Sequence, residues 1–213
     1  MMGLPTVTPY QLSRIQPHIF APFLKRLKKI FASMDQKYQE AADYYNFNCK
    51  GCEDNCCLTR FYHYTLIEYL YIKEGFHGLE DKKQVEVKQR SLTVCRKTDE
   101  ADRKGQPVKQ MCPVNFGSLC VLYSYRPMIC RLHGIPHELH RPGQGILNSS
   151  GCGTFALKCH KKTYFKFDRT PFYMQMAALE KEMKQAVGMT QKIKMTVAQM
   201  IVTFDEGSWT IGN

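Results

Sequence analysis

Apolar residues between positions 22 and 45 recur at three- and four-residue steps: Phe23, Leu24, Leu27, Ile30, Phe31, Met34, Tyr38, Ala41, Ala42 and Tyr45. That period gathers them on one face of an α-helix. Lys25, Arg26, Lys28, Lys29, Asp35, Lys37 and Glu40 fall on the other face. A basic amphipathic helix can lie on a membrane or in an acidic groove, but the plainer expectation is that the stripe packs on its own domain. A shorter helix is predicted over 65–74, with Leu66, Tyr69 and Leu70 inward and Gly75 as its stop. Positions 80–108 are highly charged and carry a weak stripe of Leu79, Val85, Val87, Leu92 and Val94, predicting a helix that ends in a loop at Gly105-Gln106-Pro107. Further on, Thr170 can cap a helix with Pro171 at its first position. Met176, Leu179, Met183 and Val187 form its stripe, and Gly188 ends it. Positions 194–204 fit a helix or a strand, because Ile201-Val202-Thr203 is β-branched. The run Thr163-Tyr164-Phe165-Lys166-Phe167 reads as a core strand, and positions 1–18, with a turn signal at 6–9, as an irregular arm.

Positions 111–159 break this pattern. They are rich in Gly and Pro and lack a period, so something other than a packed stripe must fix them. Metal bonds would serve. The expected fold is mainly α, with helices flanking an irregular cysteine-rich, metal-tied centre. Three parts follow: residues 1–44 as an arm and amphipathic helix, 45–160 as a cysteine-cluster metal-binding domain, and 161–213 as a C-terminal helical segment packing on it.

Composition sharpens the reading of the cysteines. The chain has 213 residues, 44% of them apolar, and ten cysteines. A core of that size does not require disulfides. Positions 1–20 include Pro5, Pro9, Gln11, Arg14 and Pro17 and lack an apolar signal-peptide core. No stretch reaches the roughly 18 apolar residues of a membrane span. The expectation is a cytoplasmic protein without a membrane span, in which clustered cysteines bind metal or catalyse rather than form disulfides. The formal net charge of +11 reads as a solvated basic surface, partly offset by metal-bound thiolates.

Cys49, Cys52, Cys56 and Cys57 arrive in a burst, C-x2-C-x3-C-C. A two-residue spacer lets Cys49 and Cys52 reach one metal from a tight turn, with Gly51 supplying backbone freedom. Adjacent side chains diverge, so Cys56 and Cys57 point to two centres, to a multi-metal cluster, or to one ligand beside one packing cysteine. A second group comprises Cys112, Cys120 and Cys130. Pro127 fixes the chain before Cys130, which should sit in the first turn of a short helix whose dipole favours a thiolate. Arg126 and Arg131 could neutralise a multi-thiolate site or donate to its sulfurs.

These residues resemble the YkgJ-type cysteine-cluster family, described as zinc- or iron-chelating and named for a CxxCxxCC pattern. The likeness rests on Cys49, Cys52, Cys56 and Cys57, then Cys112-Pro113, Cys120 and Arg126-Pro127-Met128-Ile129-Cys130-Arg131, with Thr65-Leu66-Ile67-Glu68 similar to an apolar segment that carries an acidic residue. It covers roughly positions 45–160. One departure is the three-residue spacer Glu53-Asp54-Asn55, where the family's commonest form has two residues. The resemblance implies ligation of zinc or an iron–sulfur cluster. It also implies a link to protein lysine methylases that act on flagellin and hold such a cluster.

Cys152 lies between Gly151 and Gly153, which suit close backbone approach to a cluster, and relatives often have a cysteine there. Cys152 therefore joins the expected ligands; Cys159 is left open, and Cys95 reads as a half-buried bystander. With so many thiols available, His133, His137 and His140 are not required as ligands. A thiolate-closed zinc site would be structural, whereas an iron–sulfur cluster would allow electron transfer or cofactor activation. No GxGxxG, Walker A, HExxH or GxSxG signature is present, and no catalytic residue can be named. The first function expected is a metal-binding protein. The alternative is an iron–sulfur enzyme related to lysine N-methylases, with a protein substrate. Nucleic acid is not the expected partner, because these spacings match no finger or ribbon.

Overall fold

The structure, a computed structural model, describes residues 17–48, 56–159 and 162–204. The irregular arm and its turn signal at 6–9 lie almost wholly outside the described residues, as do Cys49, Cys52 and the Gly51 between them. The chain is mainly helical. Helix α1 (Pro17–Tyr45) begins earlier than the periodicity suggests and carries Pro22 inside it, at the cost of one backbone bond in its first turns. It is followed by a single 3-10 turn (Cys56–Leu58), α2 (Leu66–His77) and α3 (Asp81–Arg103).

Helix α2 is the axis of the core. Leu66, Ile67, Tyr69, Leu70, Tyr71, Ile72 and Phe76 are all buried, so it is enclosed on every side. Around it pack Leu24, Leu27, Phe31 and Met34 of α1, and Met176, Leu179 and Met183 of α6 (Thr170–Val187). Gly75 does not stop α2, which runs on to His77. The ring of Tyr125 lies where a side chain at position 75 would be: a Cβ there would stand 2.4 Å from Tyr125 Cγ. The glycine thus marks a close approach inside the helix. On α3 only Val87 and Ser91 are buried, while Val85 and Leu92 are exposed, so the weak stripe is weaker still than its sequence implies.

The centre is more regular than expected. Two antiparallel hairpins occupy it, β1 (Asn115–Phe116) with β2 (Leu119–Cys120), and β3 (His137–Arg141) with β4 (Gly145–Ser149). Between them lie a 3-10 turn (Tyr123–Tyr125) and α4 (Met128–Leu132); α5 (Gly153–Cys159) follows. The aromatic run 163–167 is no core strand. Side chains take its amides instead, Tyr45 Oη accepting from Phe165 and Tyr164 Oη from Phe167, and only Phe167 of the run is buried. Helix α6 starts one residue early, with Arg169 in the cap position, and ends at Gly188 in the left-handed region. The undecided segment resolves as a helix, α7 (Val197–Val202), started by a capping box between Thr196 and Gln199. Among the described residues no helix is long and apolar enough to cross a membrane.

Candidate metal centre

Cys57 ends up beside Cys112 because its carbonyl accepts the Cys112 amide at 2.8 Å. Cys112 leads into the β1–β2 hairpin, its own carbonyl accepting from the Asn115 amide at 3.0 Å. At the hairpin's tip Gly117 and Ser118 both take positive φ, 54° and 67°, as a type I′ turn requires. That tight reversal sets Cys120 opposite Asn115 and so returns it toward Cys112. The 3-10 turn then leads to Pro127, which precedes the helix bearing Cys130.

Four thiols from separate stretches of chain thereby come within electrostatic reach of one another. Burial pushes the Cys112 thiol up to about 12, with Cys57 and Cys120 adding to the effect. Burial likewise raises Cys120, helped by Cys57, and carries Cys130 well above its ordinary value, where Cys112, Cys120 and Cys57 all contribute. The dipole of α4 does not win against this. Loss of water around the sulfur dominates, and the first amide of α4 is taken by a carboxylate: Glu68 Oε1 accepts from Met128 N at 2.8 Å.

The two arginines play different parts. Arg126 lies 3.7 Å from the centre of the Tyr123 ring, and its charge draws the Cys120 and Cys130 thiols downward. Arg90 of α3 does the same for Cys112. Arg131 is buried and engaged elsewhere. Its Nη1 meets Asp35 of α1 at 2.5 Å, its Nε donates to the Arg126 carbonyl at 2.7 Å, and its Nη2 donates to the Ser124 carbonyl. It thus ties α1 to the stretch between Cys120 and Cys130.

In kind, four sulfurs suit a thiophilic metal. In arrangement, among the described residues no group of three or more His, Cys, Asp or Glu is poised to hold a metal ion. Cys49 and Cys52 lie outside the described residues, and Cys56 is placed by its backbone, in the 3-10 turn beside Cys57. Cys152 belongs to another neighbourhood. Its Sγ accepts from Phe155 N at 3.4 Å at the start of α5, and its amide donates to Gly134 O. Cys159 is buried with its Sγ on the Tyr45 carbonyl at 3.6 Å, and Cys95 is half-buried on α3.

The histidines serve packing and turns. The His133 ring abuts Phe61, His137 Nδ1 lies 3.2 Å from the Ile135 carbonyl, and His140 pairs with Glu138 at 2.9 Å. Three residues with positioning roles went unnoticed in the sequence. Tyr38 donates to the His133 carbonyl at 2.9 Å. Glu180 of α6 accepts the Leu66 and Ile67 amides at 2.8 and 3.0 Å, capping α2 from another helix. Arg169 is buried beside the Ile135 carbonyl. None has a local signal, since each acts across a long sequence separation. Glu68 does have one, being three residues after the capping Thr65.

No family model matches this chain, and no curated protein or solved structure matches it.

Proposed function

We propose that this chain is a cysteine-cluster protein that holds zinc or an iron–sulfur cluster through thiolates. The observation that carries the reading is the convergence of Cys57, Cys112, Cys120 and Cys130 in one poorly hydrated place with Arg126 and Arg90 nearby. The four thiols are half-buried at the edge of the core rather than part of it, so packing alone does not account for their grouping. Bringing a cation to them would offset the burial that keeps them protonated and release their protons. Cys49, Cys52 and Cys56 precede Cys57 directly and are the natural further donors, with Cys152 as an outlying one. The resemblance to the YkgJ-type family supports the same ligand set. Thiolate-closed zinc would tie the centre together structurally, whereas an iron–sulfur cluster would supply electron transfer or cofactor activation.

The test is elemental analysis with a visible spectrum on protein purified without oxygen. Zinc in a colourless sample makes this a structural metal domain. Iron with sulfide and broad visible absorption favours the iron–sulfur form, and with it an enzyme related to protein lysine N-methylases. Absence of stoichiometric metal, with every cysteine titrating as an accessible thiol, overturns the proposal.

A further inference from the structure

Arg169, at the cap of α6, is 2% exposed. Its guanidinium is a charged fork of five donors, yet its Nε is buried without an acceptor and its Nη2 makes only a 3.5 Å contact to the Ile135 carbonyl. The Phe167 ring centre lies 5.2 Å away. Burial draws its pKa down to about 10, against the influence of Tyr173, Tyr38 and Tyr164. Among the described residues no carboxylate acts on it. Arg131 shows the contrast, since it is equally buried but faces Asp35. The acidic residues near Arg169 are engaged elsewhere: Asp168 accepts the Thr170 amide at 2.8 Å and Glu138 holds His140. A buried guanidinium without a counter-charge is strongly unfavourable, and proteins meet that condition by pairing it.

We propose that Arg169 anchors a binding site for a small carboxylate, with the Tyr173 hydroxyl as a second donor. The planar fork matches a carboxylate with two parallel bonds. The charge balance selects a monoanion. His137, half-buried nearby, is held neutral at ordinary pH, its pKa lowered to about 4 by burial and by Arg169 itself. The guanidinium is therefore the one positive charge at the fork, and a phosphate dianion would exceed it beside the Asp168 and Glu138 carboxylates. The Tyr38 hydroxyl donates to the His133 carbonyl, and the Tyr164 hydroxyl, which accepts from the Phe167 amide, is hydrogen-bonded to the Glu138 side chain; that leaves Tyr173, half-buried on the first turn of α6, to complete the site. This inference goes beyond the metal reading and does not depend on what the cysteines hold.

The test uses the full-length protein with sodium acetate as probe, and chloride and phosphate at matched ionic strength, read by melting temperature and calorimetry. Acetate should stabilise saturably beyond chloride, and beyond phosphate. Arg169→Lys should weaken acetate binding by about tenfold or more, because an ammonium cannot make the paired bonds. Tyr173→Phe should weaken it several-fold while the melting temperature in chloride stays near that of the parent. Metal content measured on the same samples should not change, which separates this result from the cysteine reading. An acetate effect no larger than that of chloride, a preference for phosphate, or an unchanged acetate response in Arg169→Lys overturns the proposal. Should Arg169→Lys fail to fold, an unchanged response in Tyr173→Phe does so.

Discussion

Glu68 and Met128 lie 60 positions apart, and the carboxylate of the first accepts the amide of the second at 2.8 Å. The central helix α2 thereby holds the first turn of the helix that bears Cys130. Its other oxygen is 2.5 Å from Thr65 Oγ1, so the same side chain helps begin its own helix. Glu68→Ala leaves the Met128 amide without this acceptor and should cost about 1–3 kcal/mol. Glu68→Gln, which keeps an acceptor oxygen, should cost less. Urea unfolding checks the order, and on the proposed metal-binding reading metal retention should fall in parallel.

A second relationship concerns Gly75 and Tyr125. Alanine is the better helix former, by about 0.5–1 kcal/mol in a helix interior. Here its Cβ would meet Tyr125 Cγ, Cδ2 and Cβ at 2.4, 2.6 and 2.8 Å. These atoms lie close to the Tyr125 backbone and cannot simply swing away. Gly75→Ala should therefore destabilise by about 1–3 kcal/mol, the range for overpacking. Adding Tyr125→Ala should remove most of the extra penalty in a double-mutant cycle.

Acid should weaken the fold through His63. This side chain is 3% exposed, and burial lowers its pKa to about 4 from an ordinary 6.5. Between those values the unfolded chain binds the proton and the folded chain does not. Stability is therefore fully present above about 6.5 and is lost as pH falls toward 4. For this group alone the loss from pH 7 to pH 5 is about 2 kcal/mol. His63→Leu should lose correspondingly less over the same interval in urea unfolding, with the half-buried His137 leaving a smaller residual slope.

The cysteines should divide by place. On the proposed reading, serine at Cys57, Cys112, Cys120 or Cys130 should remove or sharply reduce bound metal, because the four thiols lie within electrostatic reach of one another. Cys95→Ser, on the outer helix α3, should leave the metal-to-protein ratio unchanged. Cys159→Ser should lower stability without changing that ratio, since its sulfur packs on the Tyr45 carbonyl. Metal analysis and thermal unfolding of the six variants distinguish the two roles.

Periodicity made the helices legible where one face is apolar, as in α1 and α6, because a 3.6-residue repeat writes burial directly into the order of residues. It misled at Gly75, where the reason for glycine is a ring brought in from position 125. It also misled at 163–167, where the aromatics read as a strand but side-chain hydroxyls took the backbone amides. The grouping of Cys112 with Cys120 depends on Gly117 and Ser118 turning the chain, a two-residue signal hidden among many glycines. Glu180 and Arg169 were out of reach, since their partners lie on other elements and no short-range pattern encodes them.

Three successive carbonyls after α4 accept from three different parts of the chain. His133 takes the Tyr38 hydroxyl, Gly134 takes the Cys152 amide, and Ile135 faces the Arg169 guanidinium. The residue before α5, the last third of α1 and the start of α6 therefore all meet one short ribbon of peptide. Hydrogen exchange would register this as common timing: the Cys152 amide is released only when that ribbon lifts, and lifting it loosens α1 and α6 together. The region around Cys152 should therefore exchange in step with helices distant from it in sequence.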